Sequence, residues 1–339
     1  MNAPPTLRDG RAASVLLAGL TGALIVLFIA SLGVGPVTVR LIQAIPEIWS
    51  NDPDTAVLIL REIRLPRAVL AAVAGATLGL AGAALQGLLR NPLADPGVLG
   101  VSATAGLGAV IVLYFGVSAW WSWALPLGGM AGAMLSVAAV LALAGRDAST
   151  TTLVLAGVAV NAIAGALTAL ALNLAPSPYA ALEIVFWLLG SLADRSTDHL
   201  ALALPPILVG TALVLATGRS LDALTLGEEA AQTLGVSLPR LRLLIVIGVA
   251  MSVGGIVSVT GGIGFVGLVV PHLLRPFVAY EPRRLLLPSA LAGAVLLLAA
   301  DLASRLVPTN SPLQIGVVTA MVGAPFFLYL VVTTRRTMP

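Results

Sequence analysis

The side chains best suited to recognition in this sequence are arginines, and the densest group is Arg61-Glu62-Ile63-Arg64-Leu65-Pro66-Arg67. A guanidinium presents a planar fork of donors that matches a carboxylate. With Pro66 in the first turn of a helix, the three arginines would ring the mouth of an apolar segment. The group reads as a docking point for an acidic partner or as an interfacial anchor in which Glu62 partly neutralises Arg61. A second group, Asp301-x-x-x-Arg305, places both side chains on one helical face. It is a local ion pair, or Asp301 holds Arg305 so that it joins the same docking surface.

Three further stretches carry polar or breakable chemistry. Residues 219–240 read as two short helices, with Gly227 ending the first and Gly235 the second. Glu228 and Glu229 suit the positive N-terminal end of the second. Leu226, Ala230, Ala231 and Leu234 leave an apolar patch with no span to bury it. Adjacent glutamates fit a protein groove better than a lipid surface, where cations are the rule. Gly261, Gly262, Gly264 and Pro271 make another stretch breakable, a hinge or pathway candidate. His272 beside it is a proton relay or, as a lone histidine at a span end, a hydrogen-bonded structural group. Arg90-Asn91-Pro92-Leu93-Ala94-Asp95-Pro96-Gly97 reads as a rigid turn, with Asp95 capping the next helix or pairing with Arg90.

Composition narrows the chemistry. The sequence has no cysteine and two histidines, which excludes thiol catalysis and leaves no histidine cluster for a metal. All 18 basic residues are arginine. The phosphate loop of ATPases requires a lysine at the β- and γ-phosphates, so if ATP drives the process a separate subunit must bind it. The arginines are spread among loops and give no nucleic-acid signal.

The chain is 58% hydrophobic and 10% charged, and the charges lie almost wholly between apolar runs. A charge at the bilayer centre costs about 2.5–3.5 kcal/mol on an insertion scale. The pattern predicts an all-α polytopic membrane protein, a single transmembrane domain over 1–339. About ten spans are expected, at roughly 14–34, 66–88, 97–116, 121–145, 152–175, 200–218, 241–259, 263–279, 285–303 and 313–333. The first run is longer than the core of a signal peptide and reads as a retained span. Gly75/Gly79 and Gly128/Gly132 have the spacing of close helix contacts. With both termini cytoplasmic, Arg8, Arg11, Arg90, Arg146, Arg219, Arg240, Arg242, Arg283, Arg284, Arg335 and Arg336 fall inside, as the positive-inside rule requires. Arg40, Arg61, Arg64, Arg67, Arg195 and Arg305 then fall outside. A faint likeness between 75–100 and 250–274, each a glycine-rich helix meeting a break, is the kind of repeat that marks a transport pathway.

Several strings together resemble the FecCD-type permeases of ABC importers for iron chelates, haem or vitamin B12. They are Arg64-Leu65-Pro66-Arg67, Gly82-Ala83-Ala84-Leu85-Gln86-Gly87, Asn91 through Ser102, Leu226-Gly227-Glu228-Glu229-Ala230-Ala231, Gly264 through His272, and Ile315-Gly316-Val317-Val318-Thr319. The resemblance implies ten helices per subunit and a homodimer or a dimer with a related permease. It also implies two cytoplasmic ATPase subunits that carry ATP and Mg, with no cofactor on this chain, and a periplasmic substrate-binding protein. Within it, Arg64, Arg67 and Arg305 correspond to the docking arginines. The 221–235 segment, with Leu226, Gly227, Glu228, Glu229, Ala230, Ala231, Leu234 and Gly235, corresponds to the coupling helices.

The expected protein is thus a multi-pass transport subunit of the bacterial inner membrane, not itself an enzyme. It would pass an iron chelate or haem by alternating access, with cobalamin as the alternative cargo. An ion-coupled secondary transporter is the rival from another class. It needs intramembrane carboxylates or histidines, and Asp301, with Arg305 beside it, is the fair candidate.

Overall fold

A computed structural model describes residues 10–35, 37, 44, 45, 47, 48, 50, 54–145, 149–307 and 313–335. Arg8, Arg40, Arg146 and Arg336 lie outside the described residues. Those residues form helices and turns, with no strand among them. The helices are α1 (Gly10–Gly33), α2 (Thr55–Leu88), α3 (Val101–Tyr114), α4 (Ala124–Ala144), α5 (Thr150–Asn173), α6 (Pro178–Leu188) and α7 (Thr197–Ala216). Then follow α8 (Gly218–Leu224), α9 (Glu228–Thr233), α10 (Leu238–Thr260), α11 (Val266–Leu274), α12 (Pro282–Leu306) and α13 (Ile315–Arg335). Seven of them, α1, α2, α4, α5, α7, α10 and α12, are long and apolar enough to cross a bilayer. The expected count of ten therefore rests on shorter apolar helices, α3, α11 and the Ile315–Leu330 part of α13. The 11-residue α6 lies between the spans expected at 152–175 and 200–218; Ser177 caps it, accepting from the Ala180 N–H at 3.2 Å, and Ile184 and Trp187 are buried.

α2 and α10 are the most buried helices, and α12 and α7 pack on them. Large side chains such as Val26, Leu135, Leu155, Ile163, Leu208 and Met321 are exposed on the helices around this centre, as lipid-facing positions require. Glycines set the distances between backbones. A methyl group at Gly75 would strike the Gly293 carbonyl, and one at Gly79 the Ser289 carbonyl, so α2 and α12 touch main chain to main chain. Gly108, Gly128 and Gly132 do the same between α3 and α4, where a methyl at Gly132 would meet the Thr104 carbonyl. Both glycine pairs expected to pack do so.

One boundary differs from the sequence expectation. The second span does not begin at Pro66; the chain is helical from Thr55 and runs as a wide π-type turn through Ile59–Arg64. The wider turn accommodates a proline that has no N–H to give to the preceding carbonyls. It also rotates Arg64 into the protein, where it is 4% exposed.

Gly79→Ala should destabilise the protein by about 1–3 kcal/mol, because the added methyl has only backbone to displace. Gly19→Ala, where nothing lies within 4 Å, should stay within about 0.5 kcal/mol. Thermal unfolding of the two variants in one detergent checks this.

Candidate docking and coupling sites

The wide turn and the α2–α12 contact bring the three expected docking arginines together at one end of the bundle. Arg64 donates through Nη1 to the carbonyls of Leu32 (2.8 Å) and Gly33 (2.7 Å), and through Nη2 to that of Val37. Arg305 donates to the Ser31 carbonyl at 3.0 Å, the Val34 carbonyl at 3.4 Å and the Ser31 hydroxyl at 3.1 Å. The Ser31, Leu32 and Gly33 carbonyls belong to the C-terminal end of α1, where a helix leaves acceptors unfilled and its dipole is negative, and those of Val34 and Val37 follow it. Two guanidiniums therefore cap a helix that otherwise packs mainly along α12.

Asp301 joins the group from the other side. Its Oδ1 accepts from Arg67 Nε at 2.9 Å and lies 2.8 Å from Nη2, and its Oδ2 accepts from Arg305 Nη2. Asp301 is fully buried, while the Arg67 side chain is 19% exposed. Arg67 and Arg305 share this carboxylate while Arg64 bonds carbonyls alone, so the three guanidiniums stand with one carboxylate, an excess of two positive charges among the described residues. Arg61 stays apart, 2.8 Å from Glu62 on the surface. The local Asp301–Arg305 pair read from the spacing exists, but its carboxylate is shared with a helix 234 residues away in sequence.

At the opposite end, the 219–240 stretch forms the two expected short helices, α8 and α9. Gly227 has φ 104° at the start of α9 and Gly235 has φ 86° just after it, conformations that favour glycine. Leu226 and Leu234 are 68% and 64% exposed, whereas Ala231 is buried. Of the four expected apolar residues, Ala231 is withdrawn and Ala230 is half-buried, leaving the two leucines as the exposed part of the patch. Glu228 does not stand free; it accepts from Arg242 at 2.7 Å and from the Thr150 hydroxyl at 3.3 Å. Asp222 accepts from the Arg283 backbone N–H at 2.9 Å, tying α8 to the start of α12.

The glycine-rich break separates α10 from α11. Gly261 has φ 71°, and a methyl there would strike the Trp187 carbonyl. A methyl at Gly262 would lie 2.9 Å from the Leu188 carbonyl, while Gly264 faces open space. The Ser191 N–H donates to Thr260 O at 2.7 Å, and the Ile315 N–H to Gly190 O at 3.1 Å, so three chain segments meet here. Pro271 lies buried inside α11. His272 packs edge-on against Phe326, with ring centroids 6.0 Å apart.

Sequence reasoning passed over Gln86. It is 1% exposed, and its Nε2 donates to the carbonyls of Ala94 (3.3 Å), Gly267 (3.4 Å) and Leu268 (3.2 Å). One amide thus joins α2, the turn after it and α11, the two stretches whose faint likeness was noted above. A glutamine within the small-residue run Gly82–Gly87 was the available signal. In the same turn Asp95 caps the short helical turn Pro96–Leu99, accepting from Gly97 N at 2.8 Å. Burial pushes its carboxyl above the usual range, and the Gly97 N–H opposes that shift.

A lattice of glycine-packed apolar helices, with a charged cluster at one end and a two-helix projection at the other, defines a membrane permease. The comparisons agree. The profile of the FecCD transport family matches residues 23–333, and the chain belongs to that family of ABC importer permeases. It is 43% identical over 300 residues to YvrB of Bacillus subtilis (strain 168), named as an uncharacterised ABC transporter permease, covering 85% of this chain and 82% of that one. It is 42% identical to the cobalamin import permease BtuC of Halobacterium salinarum, covering 82% of this chain and 74% of that one. With the vitamin B12 import permease BtuC of Salmonella typhi it shares 40% identity, over 82% of this chain and 85% of that one. A solved structure described as an inward-facing ABC transporter of the metal-chelate type superposes with TM-score 0.84 at 30% identity, over 94% of this chain and 99% of that one.

Asp301→Ala should cost about 3–5 kcal/mol, because two guanidiniums lose a buried counter-charge. Arg61→Ala, which breaks an exposed pair, should cost less than about 1 kcal/mol. Denaturation in a common detergent compares them.

Proposed function

We propose that this chain is the membrane conduit for a large, self-contained metal chelate, foremost an iron chelate or haem, in the bacterial inner membrane. The observation that carries the reading is the FecCD match across nearly the whole chain. It is supported by spans with few charges to grip a compact ion. Two copies, or this chain and a related permease, enclose the passage. The arginine face is periplasmic, and the 219–240 face is cytoplasmic with both termini. ATP and Mg belong to two separate ATPase subunits, which seat on Leu226, Gly227, Glu228, Glu229, Ala230, Ala231, Leu234 and Gly235. The break at Gly261–Gly264 and Pro271 serves as the hinge between access states.

A periplasmic binding protein docks its acidic groups on the Arg64, Arg67 and Arg305 cluster. The uncompensated positive charge favours an acidic partner. Arg67 is the member most open to it, while Arg64 and Arg305 fix its surroundings by holding α1. Cobalamin is the second reading, favoured by the two cobalamin permeases among the relatives.

Uptake into vesicles holding the permease, its ATPase and its binding protein discriminates the cargoes. Transport of an iron chelate or haem and not of cobalamin is expected; uptake of cobalamin alone would replace the first reading with the second. Arg67→Gln should weaken capture of the binding protein about tenfold at low salt and less at high salt. Arg61→Gln should leave it unchanged. Equal capture by wild type and the Arg67 variant at every salt concentration would count against the docking site.

A further inference from the structure

At the end of the bundle that carries α8 and α9, a cleft of about 210 Å³ opens between the end of α2, the turn 275–282 and the start of α12. Gln86, Arg90, Thr225, Arg275, Tyr280 and Leu285 line it. The two arginines come from distant parts of the chain, and neither guanidinium has a hydrogen bond or ion pair among the described residues. At this end Arg242 pairs with Glu228 at 2.7 Å and Arg284 with Glu281 at 2.7 Å, so neither of those carboxylates is left for the cleft. The nearby acids are engaged away from the cleft, Asp95 on the Gly97 N–H and Asp222 on the Arg283 N–H.

The walls are held in an unusual backbone form. Arg90 (φ 49°), Ala279 (φ 53°) and Tyr280 (φ 60°) are three of five non-glycine residues with left-handed φ among those described. Such conformations are uncommon for side-chain-bearing residues, and they gather at binding and active sites. Two guanidiniums and the Tyr280 hydroxyl offer donors to a tetrahedral oxyanion, while the Thr225 hydroxyl is spent on the Asp222 carbonyl at 2.7 Å. Gln86 adds an acceptor: its Oε1 is buried without a partner and suits a hydroxyl or ammonium on the same ligand.

We propose that this cleft binds a phosphate-bearing anion, either the headgroup of an anionic phospholipid or free phosphate. Only the choice of leaflet rests on the orientation given above. Binding is read on the permease alone, so it stands or falls apart from the transport reading.

The test uses the full-length chain, purified and stripped of lipid, and follows its melting temperature. Titrants are phosphatidylglycerol, phosphatidylcholine with the same chains, and inorganic phosphate. A ligand that binds only the folded state raises the melting temperature. Phosphatidylglycerol should stabilise the protein beyond phosphatidylcholine. The double variant Arg90→Gln/Arg275→Gln should weaken the apparent affinity at least about tenfold. Arg90→Gln alone, on an exposed turn, should weaken it in the same direction and keeps the test valid if the double variant does not fold. A matching response to inorganic phosphate assigns the site to the free anion, and a response to phosphatidylglycerol alone assigns it to the headgroup. Equal responses to the two lipids with none to phosphate, or a full response in the variants, would overturn the proposal. So would variants that lose only assembly with the ATPase, since the cleft would then be a protein contact.

Discussion

The main-chain contact between α2 and α12 sets both functional ends of this molecule. Gly75 and Gly79 lie against Ser289, Gly293 and Ala294 with no room for a methyl group. In a bilayer, where lipid tails are as apolar as leucine, such close packing supplies the attraction between helices that water supplies in a soluble core. Its consequence is geometric. Arg64 and Arg67 at one end of α2 reach Asp301 and the capped end of α1, while Gln86 and Arg90 at the other end reach α11 and the start of α12. A shift along this contact would misplace both ends together.

The charged end shows how a membrane protein keeps arginine within its helices. A guanidinium away from water needs acceptors, and the end of α1 offers carbonyls that would otherwise be unfilled. Arg64 and Arg305 satisfy α1 as α1 satisfies them. One shared carboxylate leaves the group positively charged.

Much of the helical architecture was legible because a charge-free run of about twenty residues admits few other structures in lipid. Gly75/Gly79 and Gly128/Gly132 announced their contacts by spacing. Gly227 and Gly235 marked α9, since both take left-handed backbone. Other features needed the third dimension. The π-type turn before Pro66 has no simple sequence signature, so Arg64 read as a surface group when it is buried. Asp301 looked like a partner for Arg305 alone, because spacing along one helix cannot show Arg67 arriving from another. Gln86 was hidden among small residues, and its meaning lies in three carbonyls from two other segments. The helix α6 was too short to register as a span, although Ser177-Pro178 marks its start.

This chain has no lysine to complete a phosphate loop of its own, and permeases of ABC importers work with a separate ATPase. The most direct measurement is accumulation of cargo in sealed vesicles containing the permease and its binding protein, with and without the ATPase subunit. Uphill accumulation only when the ATPase is present and hydrolysing ATP is the predicted result. Accumulation by the permease without an ATPase, abolished by an uncoupler, would contradict the account.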